Sequence, residues 1–277
     1  MLAKASPNRS KAHFYPFYSK GFIIFHRMNS RKGLAVVFSL ISLLGWSQEF
    51  FIPNLGQWPD EVLAKTATAN GDLYLTRQGF RVHWRDPQDH EMVHDFLHGK
   101  LNSSPVLEST VFDISYSGCN AKAEVVTQGD VGYRENYFLG DLVVTNAQAF
   151  KELKALDFYP NIDRVVYFSD GNIKYDFVVH PGGNPQSIVW KYSDFVKINK
   201  SKGRLIAQAN GQEFIDAEPY AYQEFEGETH KVQIRYKTRG DSVVFSIGAY
   251  REDLPLIIDP NFIFSSFHGH TMFVSEF

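Results

Sequence analysis

The sequence has very little cysteine, since Cys119 is the only one among 277 residues. A single cysteine excludes an intramolecular disulfide framework and a metal site built from several thiolates, and we expect Cys119 to be a small buried or turn residue. The G-x-S-x-G nucleophile elbow, the P-loop and the dinucleotide-binding glycine fingerprint are absent as well. Charged residues make up only 21% of the chain, and aromatic residues make up 15%. This balance favours a strand-rich globular protein.

Acidic residues are missing from residues 1–47, which contain seven Lys or Arg. The remainder of the chain therefore carries 21 basic and 31 acidic residues, a net charge of −10. A net negative charge on residues 48–277 argues against nucleic acid and anionic lipid as partners. It is typical of a secreted protein.

Only one long apolar run is present, and it follows Met28. A basic pair precedes the run LAVVFSLISLLGW, and small residues stand just before Gln48. This pattern is that of a secretory signal peptide over residues 28–47, cut between Ser47 and Gln48. The run is short for a membrane span, so we expect no stable span after cleavage, with an uncleaved anchor as the alternative. Residues 1–27 have no place before a signal peptide and are interpreted as a mis-called upstream extension.

Short strand candidates separated by turn residues fill most of the remaining chain. The clearest pair lies between Phe158 and Pro185, where residues 164–168 are β-branched and aromatic and residues 173–179 alternate around an Asp170-Gly171 turn signal. Further candidates are residues 73–76, 80–84, 111–116, 133–140, 188–192, 196–199, 204–208, 220–225, 230–238, 243–247 and 256–258. This spacing predicts an all-β, sandwich-like domain of many short antiparallel strands over residues 48–264.

Two segments have apolar residues at helical spacing, so we predict one or two short helices within this domain. The first is AQAFKELKAL, residues 147–156. The second covers residues 87–98, with Asp86 as a possible N-cap, Pro87 at the first helical position and Gly99 as the stop.

The second helical segment contains the only motif with catalytic content, His90-Glu91-x-x-His94. In zinc peptidases the two histidines bind the metal and the glutamate activates water, and His98 is a candidate third ligand. The helix is short, however, and its histidines lie mainly opposite its apolar residues, as they do on a solvent-facing connection. We therefore assign no catalytic residue, metal or cofactor. A zinc-dependent peptidase remains the alternative.

Paired carboxylates offer a second possible chemistry. Asp163 and Asp176 could lie close together across the central hairpin and act as a glycosidase pair. Edge charges and turn anchors are the commoner roles for such residues, and we prefer those roles here. The nearby His180 is interpreted as a strand-end residue.

Aromatic residues offer a possible binding surface. Tyr220, Tyr222 and Trp190 could form an exposed platform on which sugar rings stack, or they could belong to the core. Core packing is the first explanation at this aromatic content. A carbohydrate-binding module is therefore a further alternative function.

Six phrases together carry a family resemblance: NLGQWP (54–59), YFLG (137–140), YPNID (159–163), KYDFVVHPG (174–182), EPYAYQ (218–223) and PLIIDP (255–260). The chain resembles the N-terminal β-domain of large secreted surface proteins of gliding-type Gram-negative bacteria. In those proteins the domain, which has no assigned activity, precedes bacterial β-propeller-type (SBBP) repeats, PKD-like modules and a C-terminal type IX sorting domain. Asn161 stands where the family usually has Gly, and Asn tolerates the left-handed backbone that this corner needs.

The resemblance implies a non-enzymatic structural or adhesion module, exported to the surface of a Gram-negative bacterium and linked to gliding motility. Surface polysaccharide and other surface proteins are the partners it suggests, with repeat modules following in the same chain. The resemblance ends after Phe267, so residues 265–277 are interpreted as an aberrant or truncated start of a repeat region. A frameshift or premature stop would explain that ending.

Overall fold

A computed structural model describes residues 49–68, 71–85, 92, 94–100, 109–260 and 262–263. The strands of these ranges, in chain order, are β1 (Ile52–Pro53), β2 (Val62–Thr68), β3 (Gly71–Thr76), β4 (Gly79–Arg85), β5 (Ser109–Tyr116), β6 (Val125–Leu139), β7 (Leu142–Tyr159), β8 (Ile162–Ser169), β9 (Asn172–Val179), β10 (Val189–Tyr192), β11 (Lys197–Ser201), β12 (Arg204–Ala209), β13 (Gln212–Asp216), β14 (Tyr220–Phe225), β15 (Glu228–Val232), β16 (Ile234–Arg239), β17 (Ser242–Ile247), β18 (Leu256–Asp259) and β19 (Phe262–Ile263). A short 3₁₀ helix covers Pro185–Ser187.

The strands form three antiparallel sheets. An eight-stranded sheet has the order β1-β2-β3-β4-β5-β10-β17-β16, and a seven-stranded sheet has the order β15-β14-β18-β9-β8-β7-β6. A smaller sheet has the order β11-β12-β13-β19. The predicted all-β, sandwich-like fold is therefore confirmed.

The central hairpin forms where the sequence predicts it, from β8 and β9. Asp170 and Gly171 occupy the turn with φ values of +51° and +76°, which two-residue hairpins of the primed type require. The alternating residues of β9 all point inward and are at most 4% exposed: Ile173, Tyr175, Phe177 and Val179. At the other end of the hairpin, Asn161 adopts the left-handed conformation expected of it, with a φ of +57°.

Aromatic side chains fill the space between the two large sheets. The ring of Phe80 on β4 lies 5.4 Å from that of Tyr175 on β9, and Tyr116 on β5 lies 5.3 Å from Phe177. The small sheet also packs against this core, because the ring centroid of Phe262 on β19 lies 4.4 Å from that of Tyr175. The Phe80–Tyr175 and Tyr116–Phe177 contacts are edge-to-face, with ring planes at 65° and 70°, and such contacts add specificity to the burial of apolar area.

A buried cation crosses the interior. Arg164 on β8 is 0% exposed, and its side chain donates a hydrogen bond of 2.9 Å to the carbonyl oxygen of Thr76, at the end of β3. Its guanidinium carbon lies over the ring of Phe158 and, at 5.4 Å, over that of Phe80. Arg164 therefore links the seven-stranded sheet to the eight-stranded one. Burial lowers the pKa of its guanidinium.

A buried carboxylate joins all three sheets. Asp216 on β13 is 1% exposed and accepts hydrogen bonds from the hydroxyls of Tyr175 on β9 (3.2 Å) and Tyr192 on β10 (3.3 Å). Burial raises the pKa of Asp216 to about 8, because the charged form is poorly solvated there.

The predicted helix over residues 147–156 is wrong, because this segment lies inside β7. The strand pairs with β6 on one side and β8 on the other, so both flanking ladders satisfy its backbone groups. Its apolar residues fit a strand as well as a helix: Leu153 and Ala155 alternate inward and are 1% and 2% exposed. Pairing on both sides outweighs local helical propensity.

The second predicted helix and the strand predicted over residues 230–238 differ less from the observed structure. Residues 92 and 94–97 of the second predicted helix are helical, and Gly99 follows with a φ of +72° as the predicted stop. Asp86 and Pro87 lie outside the described residues. The single strand predicted over residues 230–238 is in fact divided between β15 and β16, which belong to different sheets.

Candidate functional site

The outer face of the seven-stranded sheet brings polar and aromatic side chains from four neighbouring strands together. Successive side chains of a strand point to opposite faces, and Phe177 and Ile258 are 0% exposed on the inner face. Their neighbours along the strands therefore point outward. We call five of these outward residues the outer-face cluster: Tyr167 on β8, Asp176 on β9, Tyr220 and Tyr222 on β14, and Asp259 on β18.

Two carboxylates stand side by side at the centre of this cluster. Ile258 pairs with Phe177, and continuing that register by one residue places Asp259 opposite Asp176. Like charges in this arrangement destabilise a sheet. Burial, and after it the charge of Asp259, raises the pKa of Asp176 to about 7. Oδ1 of each carboxylate is buried and has no hydrogen-bond partner in the described part of the chain.

The second oxygen of each carboxylate has a neighbour within the sheet. The hydroxyl of Tyr167 donates to Asp176 Oδ2 at 3.2 Å, and Lys174 Nζ lies 3.6 Å from Asp259 Oδ2. Burial and the charge of Asp176 raise the pKa of Tyr167, which stays a neutral donor. One ammonium group thus accompanies two carboxylates.

Two tyrosines flank the carboxylates. Tyr220 is 37% exposed and lies opposite Asp259 in the ladder, and Tyr222 is half-buried beside it. Their ring centroids are 5.6 Å apart, with the planes inclined by 32°. Lys231 Nζ lies 5.4 Å from the Tyr220 centroid. The third residue of the predicted platform, Trp190, does not belong to it, because it is 1% exposed in the core.

Asp163 lies on the same sheet face as Asp176 but has its own partners. It is 5% exposed, and its carboxylate lies 2.9 Å from both Lys154 Nζ and His180 Nε2. It also accepts a hydrogen bond of 2.9 Å from the backbone N–H of Asp157. Although burial opposes it, the contacts with His180 and Lys154 hold the pKa of Asp163 below its ordinary value. Asp163 thus anchors the corner that precedes β8, and His180 follows the end of β9.

The zinc-site residues are described only in part, since His90 and Glu91 lie outside the described residues. The side chain of His94 is 55% exposed, and its Nδ1 lies 3.5 Å from Asp95 Oδ1. The rings of His94 and His98 are 4.3 Å apart between centroids. Within the described ranges, no three His, Cys, Asp or Glu side chains are grouped as a metal site requires.

Other chemical features lie elsewhere. A groove of about 380 Å³ opens between the β10–β11 connection and the β16–β17 turn, with Ser193, Asp194 and Thr238 in its lining. Cys119 is half-buried against the core, where burial raises the pKa of its thiol.

The proposed cleavage site, between Ser47 and Gln48, lies outside the described residues. None of the helices in the described ranges combines the length and apolar character needed to cross a membrane.

Sequence reasoning singled out Asp176, Tyr220 and Tyr222 but missed Tyr167 and Asp259. Alternation within residues 256–259 could have shown that the aspartate points away from the core. Its position beside Asp176 could not have been found in this way, because it depends on β18 lying between β9 and β14.

Comparison with known proteins identifies a family without an assigned activity. No curated protein matches the chain, and no solved structure matches it. A family model described as a domain of unknown function, DUF7948, matches residues 51–261. This span runs from β1 to β18 and contains the whole outer-face cluster. Because the match covers well over half of the sequence, the chain belongs to the DUF7948 family.

Proposed function

We propose that this chain acts by contact, as a non-catalytic structural or adhesion module of a protein exported to the surface of a Gram-negative bacterium. The outer-face cluster is the observation that carries this proposal. It presents tyrosine rings and carboxylates on an open sheet face, which suits an extended partner. Enzymes that act on small molecules usually enclose them in a concave pocket.

Export is the second part of the proposal. It is supported by the signal-peptide pattern over residues 28–47 and by the acidic charge of the rest of the chain. The resemblance to N-terminal domains of surface proteins supports the same location. In that setting the domain would stand before SBBP repeats and PKD-like modules in a protein sorted by type IX secretion.

Surface attachment of the source bacterium tests this function. The gene would be deleted, and cells would be complemented with the wild-type chain, with Glu91→Gln or with the double variant Tyr220→Ala/Tyr222→Ala. We expect deletion to reduce attachment to glass and agar, Glu91→Gln to restore it fully, and the tyrosine variant to restore it poorly.

The two alternative outcomes have separate meanings. A Glu91→Gln chain that reaches the surface but fails to restore attachment would favour the zinc-dependent peptidase. The contact function would be contradicted if deletion left attachment unchanged and the tagged wild-type chain lay inside the cell. Resistance of the tagged chain to protease added to intact cells would show the second point.

A further inference from the structure

We propose that Lys174 and Asp259 condense into an amide cross-link between β9 and β18, with Asp176 transferring the protons. The chain makes this modification from its own side chains, so it goes beyond the contact function above and does not depend on it. It follows from the proximity of the three side chains, from their hydrogen bonding and from the contrast with two other ion pairs.

Proximity provides the first argument. Continuing the register of β9 and β18 by one residue places Asp259 opposite Asp176. Lys174 precedes Asp176 by two residues, so it is the diagonal neighbour of Asp259, and long side chains reach across such a diagonal. Nζ of Lys174 lies 3.6 Å from Asp259 Oδ2. Two reacting groups held in good orientation can reach an effective concentration on the order of 10⁵ M or more.

Hydrogen bonding provides the second argument. Oδ1 of Asp176 and Oδ1 of Asp259 are buried, and within the described residues neither receives a hydrogen bond. Buried acceptors without a donor are rare because they are costly. Since both atoms are enclosed, a proton on Asp176 is the donor best placed to reach Asp259 Oδ1. An amide at Asp259 keeps this oxygen as a carbonyl acceptor and removes the like charge that faces Asp176.

Asp176 is suited to move protons. Burial, and after it the charge of Asp259, raises its pKa to about 7, and Glu152 adds to the same effect. The hydroxyl of Tyr167 donates to Asp176 Oδ2 at 3.2 Å and so holds the carboxyl group in place. A carboxyl group that titrates near neutral pH can take a proton from one neighbour and give it to another.

The condensation balances without a further reactant. Asp176 takes a proton from the Lys174 ammonium group, and the resulting amine attacks Cγ of Asp259. An N–C bond forms and one C–O bond of the Asp259 carboxyl group breaks. The two protons lost by Nζ are passed through Asp176 to the departing oxygen, which leaves as water. The positive and the negative charge disappear together, and Asp176 returns to its initial state.

Two other ion pairs show what distinguishes this one. Lys154 Nζ is closer to its carboxylate, at 2.9 Å from Asp163 Oδ2, but the residue opposite Asp163 on β9 is Val178, which has no proton to transfer. Lys191 and Asp241 lie 2.8 Å apart with side chains that are 46% and 73% exposed, so water solvates both charges. We therefore expect both of these pairs to remain ionic.

Peptide mapping of the full chain by mass spectrometry tests the proposal. Trypsin cuts after Lys and Arg, and an amide at Lys174 blocks the cut there. We expect residues 165–191 and residues 252–277 to appear as one linked peptide, lighter than the two separate peptides by one water molecule. Lys154 is the internal control in the same digest, and the cut after it should be complete.

Three variants separate the roles. Lys174→Arg keeps a positive charge beside Asp259 but offers no amine, so the linked peptide should be absent. Asp176→Asn leaves Lys174 and Asp259 in place and should reduce the linked fraction at least about tenfold at a fixed time after synthesis. Lys154→Arg is the matched control and should be linked as fully as the wild type.

Complete cleavage after Lys174 in the wild type, with no linked peptide, would overturn the proposal and leave Lys174 and Asp259 as an ion pair. A linked fraction that Asp176→Asn leaves unchanged would overturn the role given to Asp176. A link of equal yield between Lys154 and Asp163 would show that contact alone suffices, against the argument from the facing carboxyl group. None of these results depends on the attachment of cells, so they are distinct from a failure of the contact function.

Discussion

The guanidinium carbon of Arg164 lies 4.3 Å from the centroid of the Phe158 ring, in the interior between the two large sheets. The cation is thus stabilised by an aromatic face and by the carbonyl oxygens of Thr76 and Gly79, at 2.9 and 3.4 Å. A guanidinium suits this role because it is flat and more weakly hydrated than an ammonium. The link between the sheets therefore depends on the shape of this side chain as well as on its charge.

Arg164→Lys should destabilise the protein by about 2–4 kcal/mol, because a compact ammonium cannot cover the Phe158 ring and reach the same carbonyl oxygens. Urea unfolding followed by tryptophan fluorescence measures the change. Arg134→Lys is the control, since the Arg134 side chain is 42% exposed, and it should change stability by less than about 0.5 kcal/mol. Equal stability of the two variants would contradict the role given to Arg164.

Asp216 should make the protein less stable as the pH rises from about 4 to about 8. An unfolded Asp titrates near about 3.9, whereas the pKa of buried Asp216 is raised to about 8. Between these values the folded state holds a proton that the unfolded state has lost, so its advantage disappears as the pH rises through the folded pKa. Asp176, with its pKa at about 7, adds to the same trend.

Urea midpoints at pH 5 and pH 8 test the Asp216 prediction. The wild-type midpoint should be lower at pH 8, and Asp216→Asn should reduce the difference between the two midpoints. The exposed control Asp241→Asn should keep the wild-type difference. An Asp216→Asn variant with an undiminished difference would show that another group causes it.

Asp72 should govern stability at the acid end. It is 5% exposed, and its neighbours are Arg85, Lys65 Nζ at 3.2 Å and His83 Nδ1 at 3.6 Å. Although burial opposes it, His83, Lys65 and Arg85 hold the pKa of Asp72 at about 2. A lowered folded pKa means that this stabilisation is present above the unfolded value and is lost as the pH falls towards 2.

At pH 7 the urea midpoint of Asp72→Asn should therefore be lower than that of the wild type, because Arg85 and Lys65 lose their counter-charge. At pH 2.5 the midpoints of the two proteins should differ much less. Asp253→Asn, at a side chain that is 67% exposed, should match the wild type at both pH values. A constant gap between Asp72→Asn and the wild type across this range would refute the assignment.

His94 and His98 should contribute little to stability, since both side chains are exposed. Replacing either with Ala should change the free energy of unfolding by only about 0.5 kcal/mol or less. Elemental analysis of protein purified without a histidine tag should give no stoichiometric zinc. One tightly bound zinc per chain, lost in His90→Ala and His94→Ala, would instead establish the peptidase alternative.

Local signals in the sequence predict the parts of this fold that depend on neighbouring residues. The Asp170-Gly171 turn and the alternation of β9 specify the central hairpin without help from the rest of the chain. The segment over residues 147–156 shows the limit of such signals, since its apolar residues fit the 3.6-residue period of a helix as well as the two-residue period of a strand. Only the presence of β6 and β8 on either side makes it a strand.

The outer-face cluster was predictable only in pieces. Tyr220 and Tyr222 stand out by their spacing, and Asp176 by its place in an alternating strand. Trp190 is 1% exposed, as the preferred interpretation of core packing expects, whereas Tyr220 is 37% exposed and departs from that interpretation. The contact between Asp176 and Asp259 joins residues far apart in the chain, and local periodicity carries no information about such a pairing.

The position of β18 has a consequence for the order in which the domain can fold during synthesis. This strand is late in the chain, yet it lies in the middle of the seven-stranded sheet, between β9 and β14. Until Asp259 has emerged from the ribosome, both neighbours keep an unpaired edge with apolar side chains beside it. Such edges invite pairing with other chains. The seven-stranded sheet can therefore close only after almost all of the domain has been synthesised, and until then both edges are open to pairing with other chains.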